Sequence, residues 1–351
     1  MVEGQVEAVP PDRRPVPGPI TVFPDIRPVV TEAVRAAGGK LVELSEKTRG
    51  LVWMDGRRAA ELGRALEENP QIGWVQLPSS GLNAFAEVLE PYIGREGPLW
   101  TSARGAYSEP VAEHALALTL AVLRVLQFRA RATGWMSTAA EKAARPREHS
   151  LYRANVLLLG AGGIAREFIA LTAPFAPRVT VVRRSAEPVP GAARTVTGER
   201  LQEVLPDADV VVVAAALTGG TVSMIGREEL AAMKPSAVLV NIARGGLIDT
   251  DALVDALASG AIAGAGLDVT DPEPLPDGHP LWSEPRALIT PHMASPAVMS
   301  IPLLAQQVGL NVEAFLGHGR FVGVVDLASE LGGVPPAEEL PDLDSNQEPA
   351  G

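Results

Sequence analysis

The sequence predicts an α/β protein built of two doubly wound, parallel-sheet domains with a cleft between them. Three observations support this fold class. The chain has 351 residues, enough for about two domains of roughly 150 residues each. From residue 19 onward, apolar runs of strand length alternate with stretches of helical periodicity, which is typical of parallel sheets covered by helices. A second alternating series begins at residue 155, after a polar and basic connector.

The first series contains three strand–helix pairs. The predicted strands are ITVF, LVWMD and IGWVQLP, at 20–23, 51–55 and 72–78, and each is followed by a helical stretch. A long helix rich in alanine and leucine is predicted over 109–126. It is apolar nearly all round, so it must be buried on most sides, either between domains or between subunits.

The second series contains six predicted strands, most of them separated by helical stretches. Their continuous valine and leucine runs are what strands buried on both faces require. One more helical stretch follows at 299–319, and a short apolar segment at 321–325. The six strands span 155–160, 178–182, 209–216, 237–242, 261–269 and 287–290.

Composition and charge exclude several classes of protein. The absence of cysteine excludes a disulfide framework, a thiolate metal site and a cysteine nucleophile, and we predict no metal. A formal net charge of −12 argues against a general nucleic-acid binder. No apolar run reaches the roughly 18 residues of a membrane span, and no secretory signal opens the chain, so a cytoplasmic protein is the default expectation.

The two ends of the chain differ in composition from the predicted domains. The first 18 residues are rich in proline and charge, which predicts a loose arm. Residues 321–351 contain seven Asp and Glu residues and no Lys or Arg. We expect residues 331–351 to form a solvated acidic tail, and a partner-binding tail is the alternative.

A glycine pattern joins the first strand of the second series to a helix. Residues 157–165 read LLLGAGGIA, in which Gly160 permits a tight turn and Gly162 lets the backbone approach a pyrophosphate at the helix N-terminus. Gly163 follows, and Ala165 takes the third glycine position, where close packing of helix on strand is needed. The pattern predicts a dinucleotide site, and the alternative is a tight turn without a ligand.

The end of the next strand indicates which dinucleotide is bound. An NAD site normally places Asp or Glu here, to bind the ribose 2′-hydroxyl. This chain has Arg183, Arg184 and Ser185 instead. Guanidinium groups pair bidentately with phosphate oxygens, so these residues favour the 2′-phosphate of NADP(H). If the arginines are only solvated, NAD is bound with little discrimination.

Three polar residues follow predicted strands in the second series. Arg244 comes after VLVNIA, Glu273 after GLDVT, and His292 after LIT. Ligands of open parallel sheets lie at the carboxyl ends of the strands. We therefore expect these three side chains to converge on the bound dinucleotide.

Several motifs together resemble the D-isomer-specific 2-hydroxyacid dehydrogenase family. The 48-residue step from Arg244 to His292 and the HPLW segment at 279–282 are most similar to its glyoxylate/hydroxypyruvate reductase branch. The resemblance covers most of 20–325, while Ala216 stands where the family carries proline and the acidic tail is not a family feature. The motifs are VAEHALAL (111–118), LLLGAGGIA (157–165), NIARGGLID (241–249), GLDVTDPEPLP (266–276) and ITPH (289–292).

The resemblance implies a division into domains and a subunit arrangement. A discontinuous substrate domain of flavodoxin-like fold would span 1–103 plus 295–330, and an NAD(P)-binding Rossmann domain would span 104–294. It also implies a homodimer, with the helix 109–126 in the interface.

The reaction implied by the resemblance is hydride transfer from NADPH to a small 2-keto acid. Of five histidines only His292 follows a sheet strand, and it would supply the proton to the carbonyl oxygen. Glu273 would orient the imidazole and raise its pKa, while neighbouring Asp271 would be a solvated carboxylate. Arg244 would grip the substrate carboxylate and polarise the carbonyl group.

Further residues are candidates for binding. In the turn LPSSGLN, Ser80 and Gly81 would aim backbone N–H groups at the substrate carboxylate. The family pattern adds Asp268 near the nicotinamide carboxamide, with a structural strand-end role as its alternative. The remaining candidates for the cofactor are Ile164, Leu217, Thr218, Ile242 and Ala243.

Two other functions stay open at this stage. One is an NAD-linked dehydrogenase of a larger 2-hydroxy acid; phosphoglycerate is disfavoured, because the first domain shows no clear basic cluster. The other is a dinucleotide-sensing interaction protein without catalysis, such as a transcriptional corepressor.

Overall fold

The computed structural model describes residues 6–7, 9–10, 13–135, 139 and 148–331. The described chain divides into two compact units. The first comprises the residues up to Tyr107 together with those from Ser295 onward, and the second comprises those of Ser108–Ala294. Most of the expected acidic tail, from residue 332 onward, lies outside the described residues, as does part of the expected arm at the start of the chain.

The first unit contains a four-stranded parallel sheet in sequential order. Its second strand is buried throughout because apolar clusters cover both faces of the sheet. A short antiparallel pair joins Val6–Glu7 to Phe321–Val322. The sheet strands are Ile20–Phe23, Gly50–Trp53, Trp74–Gln76 and Leu99–Thr101; the helices are Pro28–Ala36, Ala59–Glu68, Ala86–Leu89, Ala297–Phe315 and Leu327–Glu330.

The second unit contains a seven-stranded parallel sheet. Its strands, in spatial order, are Ala287–Ile289, Gly264–Leu267, Val238–Asn241, Val210–Val213, Asn155–Leu159, Arg178–Arg183 and Arg194–Thr197. Its helices are Ser108–Leu123, Leu126–Arg129, Gly163–Thr172, Leu201–Val204, Arg227–Ala232, Thr250–Ser259 and Pro280–Ser283.

The order of the strands in the second unit creates a switch point. From Asn155–Leu159 the chain first builds outward to one edge of the sheet, and it then returns to pair Val210–Val213 on the other side. Ligands of doubly wound sheets bind in the crevice at such a reversal, at the carboxyl ends of the strands. The predicted α/β class with two parallel sheets is confirmed.

Some element boundaries differ from those the sequence predicts. The helix expected over 109–126 ends at Leu123, because Val125 adopts the left-handed conformation, with φ of 54°, before a short helix Leu126–Arg129. The strand Arg194–Thr197 was missed because it is an edge strand with alternating burial rather than a continuous apolar run. The strand Leu99–Thr101 was missed because it has only three residues.

Among the described helices, none combines the length and the apolar character needed to cross a lipid bilayer. The cytoplasmic location stays a prediction.

Candidate active site

The turn after the strand Asn155–Leu159 requires glycine at its first position. Gly160 has φ of +114°, and a Cβ atom there would lie 2.4 Å from the carbonyl oxygen of Ala214. Its amide donates to the carbonyl of Val182 at 2.8 Å. The turn is therefore pressed against the ends of both neighbouring strands, at the switch point of the sheet.

The helix that follows presents an open N-terminus. Gly162 precedes the helix Gly163–Thr172 and is exposed, and a Cβ atom there would meet no described heavy atom within 4 Å. Ala165 is fully buried against the sheet, and Ile164 is half-buried. The first amides of a helix have no partner within it, so this end of the helix suits a pyrophosphate.

Arg183 and Ser185, two of the three residues expected to discriminate NADP(H) from NAD, contact an acidic residue, Glu187, that the sequence analysis did not consider. Arg183 Nη2 lies 3.4 Å from Glu187 Oε2, and Ser185 Oγ donates to the same oxygen at 3.4 Å. Arg184 is exposed. Glu187 therefore places a negative charge among the groups assigned to a phosphate. Its spacing of four residues from Arg183 was the signal in the sequence that could have indicated this contact.

The remaining cofactor candidates lie near the carboxyl edge of the same sheet. Leu217 packs partly buried against the core, and Thr218 N donates to Thr221 Oγ1 at 2.8 Å. Ile242 and Ala243 are buried at the end of the strand Val238–Asn241. The hydroxyl of Thr221 also donates to the carbonyl of Ala216 at 2.8 Å, which fixes the loop where the family pattern has proline.

Arg244 is held by the strand that precedes it. The side chain of Asn241 donates to the carbonyl of Arg244 at 2.9 Å and accepts from the amide of Ala243 at 3.1 Å. Burial lowers the pKa of the Arg244 guanidinium, and the negative charge of Glu273 acts in the opposite direction. Arginine stays protonated at neutral pH even so. The site thus contains a partly buried cation that interacts electrostatically with the Glu273 carboxylate.

Gly245 explains how two loops meet. A Cβ atom at this position would lie 1.8 Å from the carbonyl oxygen of Thr270. Only glycine permits such a close approach of two backbones. The loop that carries Arg244 is thereby brought beside the loop that carries Glu273.

Glu273 and His292 form a direct pair. The distance from His292 Nδ1 to Glu273 Oε1 is 2.5 Å, and both side chains are about four-fifths buried. The second carboxylate oxygen accepts from the amide of Thr270 at 3.4 Å. An ionised carboxylate can only accept, so Nδ1 bears the proton and Nε2 faces away from the pair, free to exchange a proton with a ligand.

The backbone of His292 is left-handed, with φ of 54°. Its amide donates to the carbonyl of Asp268 at 2.7 Å. The Asp268 carboxylate accepts from Thr290 Oγ1 at 2.7 Å, from Met293 N at 2.9 Å and from Ala294 N at 3.1 Å. Both oxygens of Asp268 are thus engaged by the turn that presents His292, which is the structural role left open as the alternative.

The charge of Asp268 is maintained by these contacts. Burial alone would raise the pKa of the Asp268 carboxyl group. Hydrogen bonds from His114, Thr290 and the amide of Met293 outweigh burial and hold this pKa below its ordinary value.

Of the three residues expected to converge, Glu273 and His292 are in direct contact, and Glu273 acts electrostatically on Arg244. Their roles in a reaction stay predictions. Asp271 is exposed, as expected of a solvated carboxylate. Ser80 and Gly81 belong to the first unit, where Ser80 Oγ donates to the carbonyl of Ala103 at 3.1 Å and Ser79 Oγ to that of Gly81 at 2.7 Å. Their contact with a substrate stays a prediction.

Comparison with known proteins identifies relatives over most of the chain. Residues 116–294 match the family model described as "D-isomer specific 2-hydroxyacid dehydrogenase, NAD binding domain". An uncharacterized protein in the proB 3′ region of Corynebacterium melassecola is 35% identical over 308 residues, which cover 88% of this chain and 98% of that protein. A glyoxylate reductase from Pyrococcus furiosus is 34% identical over 234 residues, covering 63% of this chain and 67% of the enzyme.

A solved structure has the same overall chain fold. The crystal structure of the TT0316 protein from Thermus thermophilus superposes with a TM-score of 0.64 at 29% sequence identity. The superposition covers 87% of this chain and 99% of that one.

Proposed function

We propose that this chain, which belongs to the D-isomer specific 2-hydroxyacid dehydrogenase family, reduces a small 2-keto acid of the glyoxylate or hydroxypyruvate type with NADPH to the D-2-hydroxy acid. Family membership makes it an NAD(P)-dependent oxidoreductase. The observation on which the proposal depends is the 2.5 Å contact between the Glu273 carboxylate and the His292 imidazole. The same carboxylate acts electrostatically on the partly buried guanidinium of Arg244.

Each group of the proposed site has a task in the reduction. When bound, NADPH would supply the hydride that reduces the carbonyl carbon of the substrate. Arg244 pairs with the substrate carboxylate and polarises the carbonyl group, since a charge-assisted hydrogen bond is strong where water is excluded. His292 donates its Nε2 proton to the carbonyl oxygen, and Glu273 stabilises the imidazolium and fixes the ring by its 2.5 Å contact with Nδ1.

The residues described at the carboxyl edge of the sheet suit a dinucleotide. Gly160 and Gly162 shape the turn, and the amides at the start of the helix Gly163–Thr172 would hold the pyrophosphate. Leu217, Ile242 and Ala243 offer apolar contacts to the nucleotide.

The preference for NADPH rests on Arg183, Arg184 and Ser185, and Glu187 opposes it. Replacing both arginines by alanine should raise the KM for NADPH by roughly tenfold or more, because charge-assisted hydrogen bonds to the 2′-phosphate are lost. The KM for NADH should change little. Equal effects on the two cofactors would refute the preference and leave NAD as the alternative.

The decisive test of the function is absorbance at 340 nm with a panel of keto acids, run with NADPH and with NADH. We expect turnover of glyoxylate or hydroxypyruvate. Turnover only of larger keto acids with NADH would favour the NAD-linked alternative. Binding of NADPH, measured by its fluorescence, without turnover of any panel member would favour a dinucleotide-sensing interaction protein.

The resemblance to this family also supports a homodimer formed through the helix Ser108–Leu123. Ala112, Ala115 and Leu118 are buried within the second unit, on the inner side of this helix. Ala117 is exposed and leaves apolar surface on its outer side, whereas Leu120 packs partly buried against the core of the unit. A second copy of the chain would cover that surface.

A further inference from the structure

We propose that His114 is a positioning residue for the reaction, which sets the placement of His292 through Thr290 and Asp268. This inference rests on the proposed function, because it assigns His292 the proton transfer. From the sequence alone, His114 is one of the residues of a buried helix and has no task. Its neighbours in space, Asp268 and Thr290, lie far away along the chain.

The contacts define a chain of hydrogen bonds with a fixed direction. His114 Nε2 lies 2.8 Å from Thr290 Oγ1, and that hydroxyl lies 2.7 Å from Asp268 Oδ1. A hydroxyl group has one proton, and the carboxylate can only accept, so Thr290 donates to Asp268. The hydroxyl oxygen therefore accepts from His114, whose proton is on Nε2. The same Nε2 lies 3.3 Å from Asp268 Oδ1.

Asp268 in turn binds the backbone of the turn that follows His292. Its side chain is 1% exposed, and its two oxygens hold the amides of Met293 and Ala294. His292 precedes them in the left-handed conformation, which a non-glycine residue keeps only where its surroundings impose it. The Asp268 contacts are therefore what presents the His292 ring to Glu273.

The helix that bears His114 is packed against the central sheet of the second unit, so its position is well determined. The helix Ser108–Leu123 packs against the strands Val238–Asn241 and Gly264–Leu267, the second of which leads directly to Asp268. Small residues permit this close packing, since a Cβ atom at Gly266 would lie 3.0 Å from Leu118 Cβ. A hydrogen bond from this helix to Thr290 thus ties the catalytic turn to the core of the unit.

The test compares His114→Leu with His114→Gln. Leucine removes the N–H donor, whereas the glutamine amide keeps one without a charge. For His114→Leu we expect kcat to fall by roughly 10- to 100-fold, the cost of a small misplacement of a catalytic group. KM for the keto acid and NADPH affinity should stay within about twofold, since Arg244 and the dinucleotide turn are untouched. His114→Gln should restore most of kcat.

Two further variants separate positioning from stability. Thr119→Val removes a hydroxyl whose bond, at 2.7 Å, is to Ala115 of the same helix, and we expect unchanged kcat. Thr290→Val should reproduce the loss in His114→Leu, and the double variant should lose little more than either alone, because both break one chain of contacts. Wild-type kcat in folded His114→Leu, or equal losses in the leucine and glutamine variants, would overturn the proposal. Should His114→Leu not fold, Thr290→Val with wild-type kcat would overturn it.

A readout independent of turnover keeps the inference testable if the proposed function fails. The proton between His292 Nδ1 and Glu273 should give a low-field proton NMR signal, assigned by its disappearance in His292→Ala. We expect this signal to broaden or vanish in His114→Leu and to persist in His114→Gln. An unchanged signal in His114→Leu would contradict the positioning role. An absence of turnover in the wild type would count against the proposed function alone.

Discussion

At the residue scale, the site is organised by carboxylates rather than by the histidine itself. Glu273 contacts His292 and acts electrostatically on Arg244. Asp268 accepts hydrogen bonds from the backbone amides that follow His292. The sequence could place Arg244, Glu273 and His292 because each follows a parallel strand. It could not reveal the bond from His114 to Thr290, which joins residues 176 positions apart.

Asp268→Asn tests the role of this buried charge. Asparagine cannot replace a carboxylate that accepts several hydrogen bonds, so we expect a loss of about 2–3 kcal/mol in the free energy of unfolding at pH 7. The folded-state pKa of Asp268 is depressed. Its contribution to stability is therefore complete above the unfolded-state pKa of about 3.9, and it is lost as the pH falls through the lower folded-state pKa.

The measurement is urea unfolding of wild type and variant from pH 7 down into the acid range. The difference in free energy should shrink as the pH falls below about 4. Asp277→Asn, at an exposed loop position, is the control and should match the wild type throughout. A difference that does not vary with pH would contradict the role assigned to the charge.

At the scale of elements, the glycines decide where loops can approach one another. Gly160 and Gly245 each lie so close to a neighbouring backbone that no side chain fits. The glycine pattern at 160–163 could be recognised in the sequence because the strand-to-helix turn fixes the spacing of its glycines. The end of the helix at Leu123 could not be predicted, since the left-handed residue that follows is a buried valine, Val125, and no glycine or proline marks the break.

Gly160→Ala and Gly162→Ala form a matched pair that separates fold from binding. Alanine at position 160 would be strained, with φ of +114° and a contact of 2.4 Å, so the melting temperature should fall and the free energy of unfolding should drop by about 1–3 kcal/mol. Alanine at position 162 meets no described atom within 4 Å, so stability should be unchanged.

NADPH affinity of Gly162→Ala should nevertheless fall by roughly tenfold, because the methyl group of the alanine would obstruct the pyrophosphate. Thermal unfolding and NADPH fluorescence measure both effects, and wild-type affinity in Gly162→Ala would place the dinucleotide elsewhere.

At the scale of the whole molecule, the two units are each a parallel sheet with apolar clusters on both faces. The continuous valine and leucine runs made this class predictable, because strands buried on both faces do not alternate apolar with polar residues. The homodimer stays a prediction, and it is drawn only from family resemblance.

Ala117→Arg tests the proposed homodimer. A long charged side chain on the outer side of the helix should break an apolar interface, so the molar mass from light scattering should fall to the 36.8 kDa of one chain. The wild type and the control Ala258→Arg, an exposed position on another helix, should both show twice this mass. A monomeric wild type, or a dimeric Ala117→Arg, would contradict the proposed interface.

In the proposed reaction His292 donates the proton, while the rest of the site binds cofactor and substrate. The most direct measurement is the rate of glyoxylate-dependent NADPH oxidation by His292→Ala at saturating cofactor, beside NADPH affinity measured by fluorescence. We predict a rate lower by roughly 10²–10⁴-fold, the usual contribution of a general acid, at unchanged affinity. A rate equal to that of the wild type would contradict the assignment of proton transfer to His292.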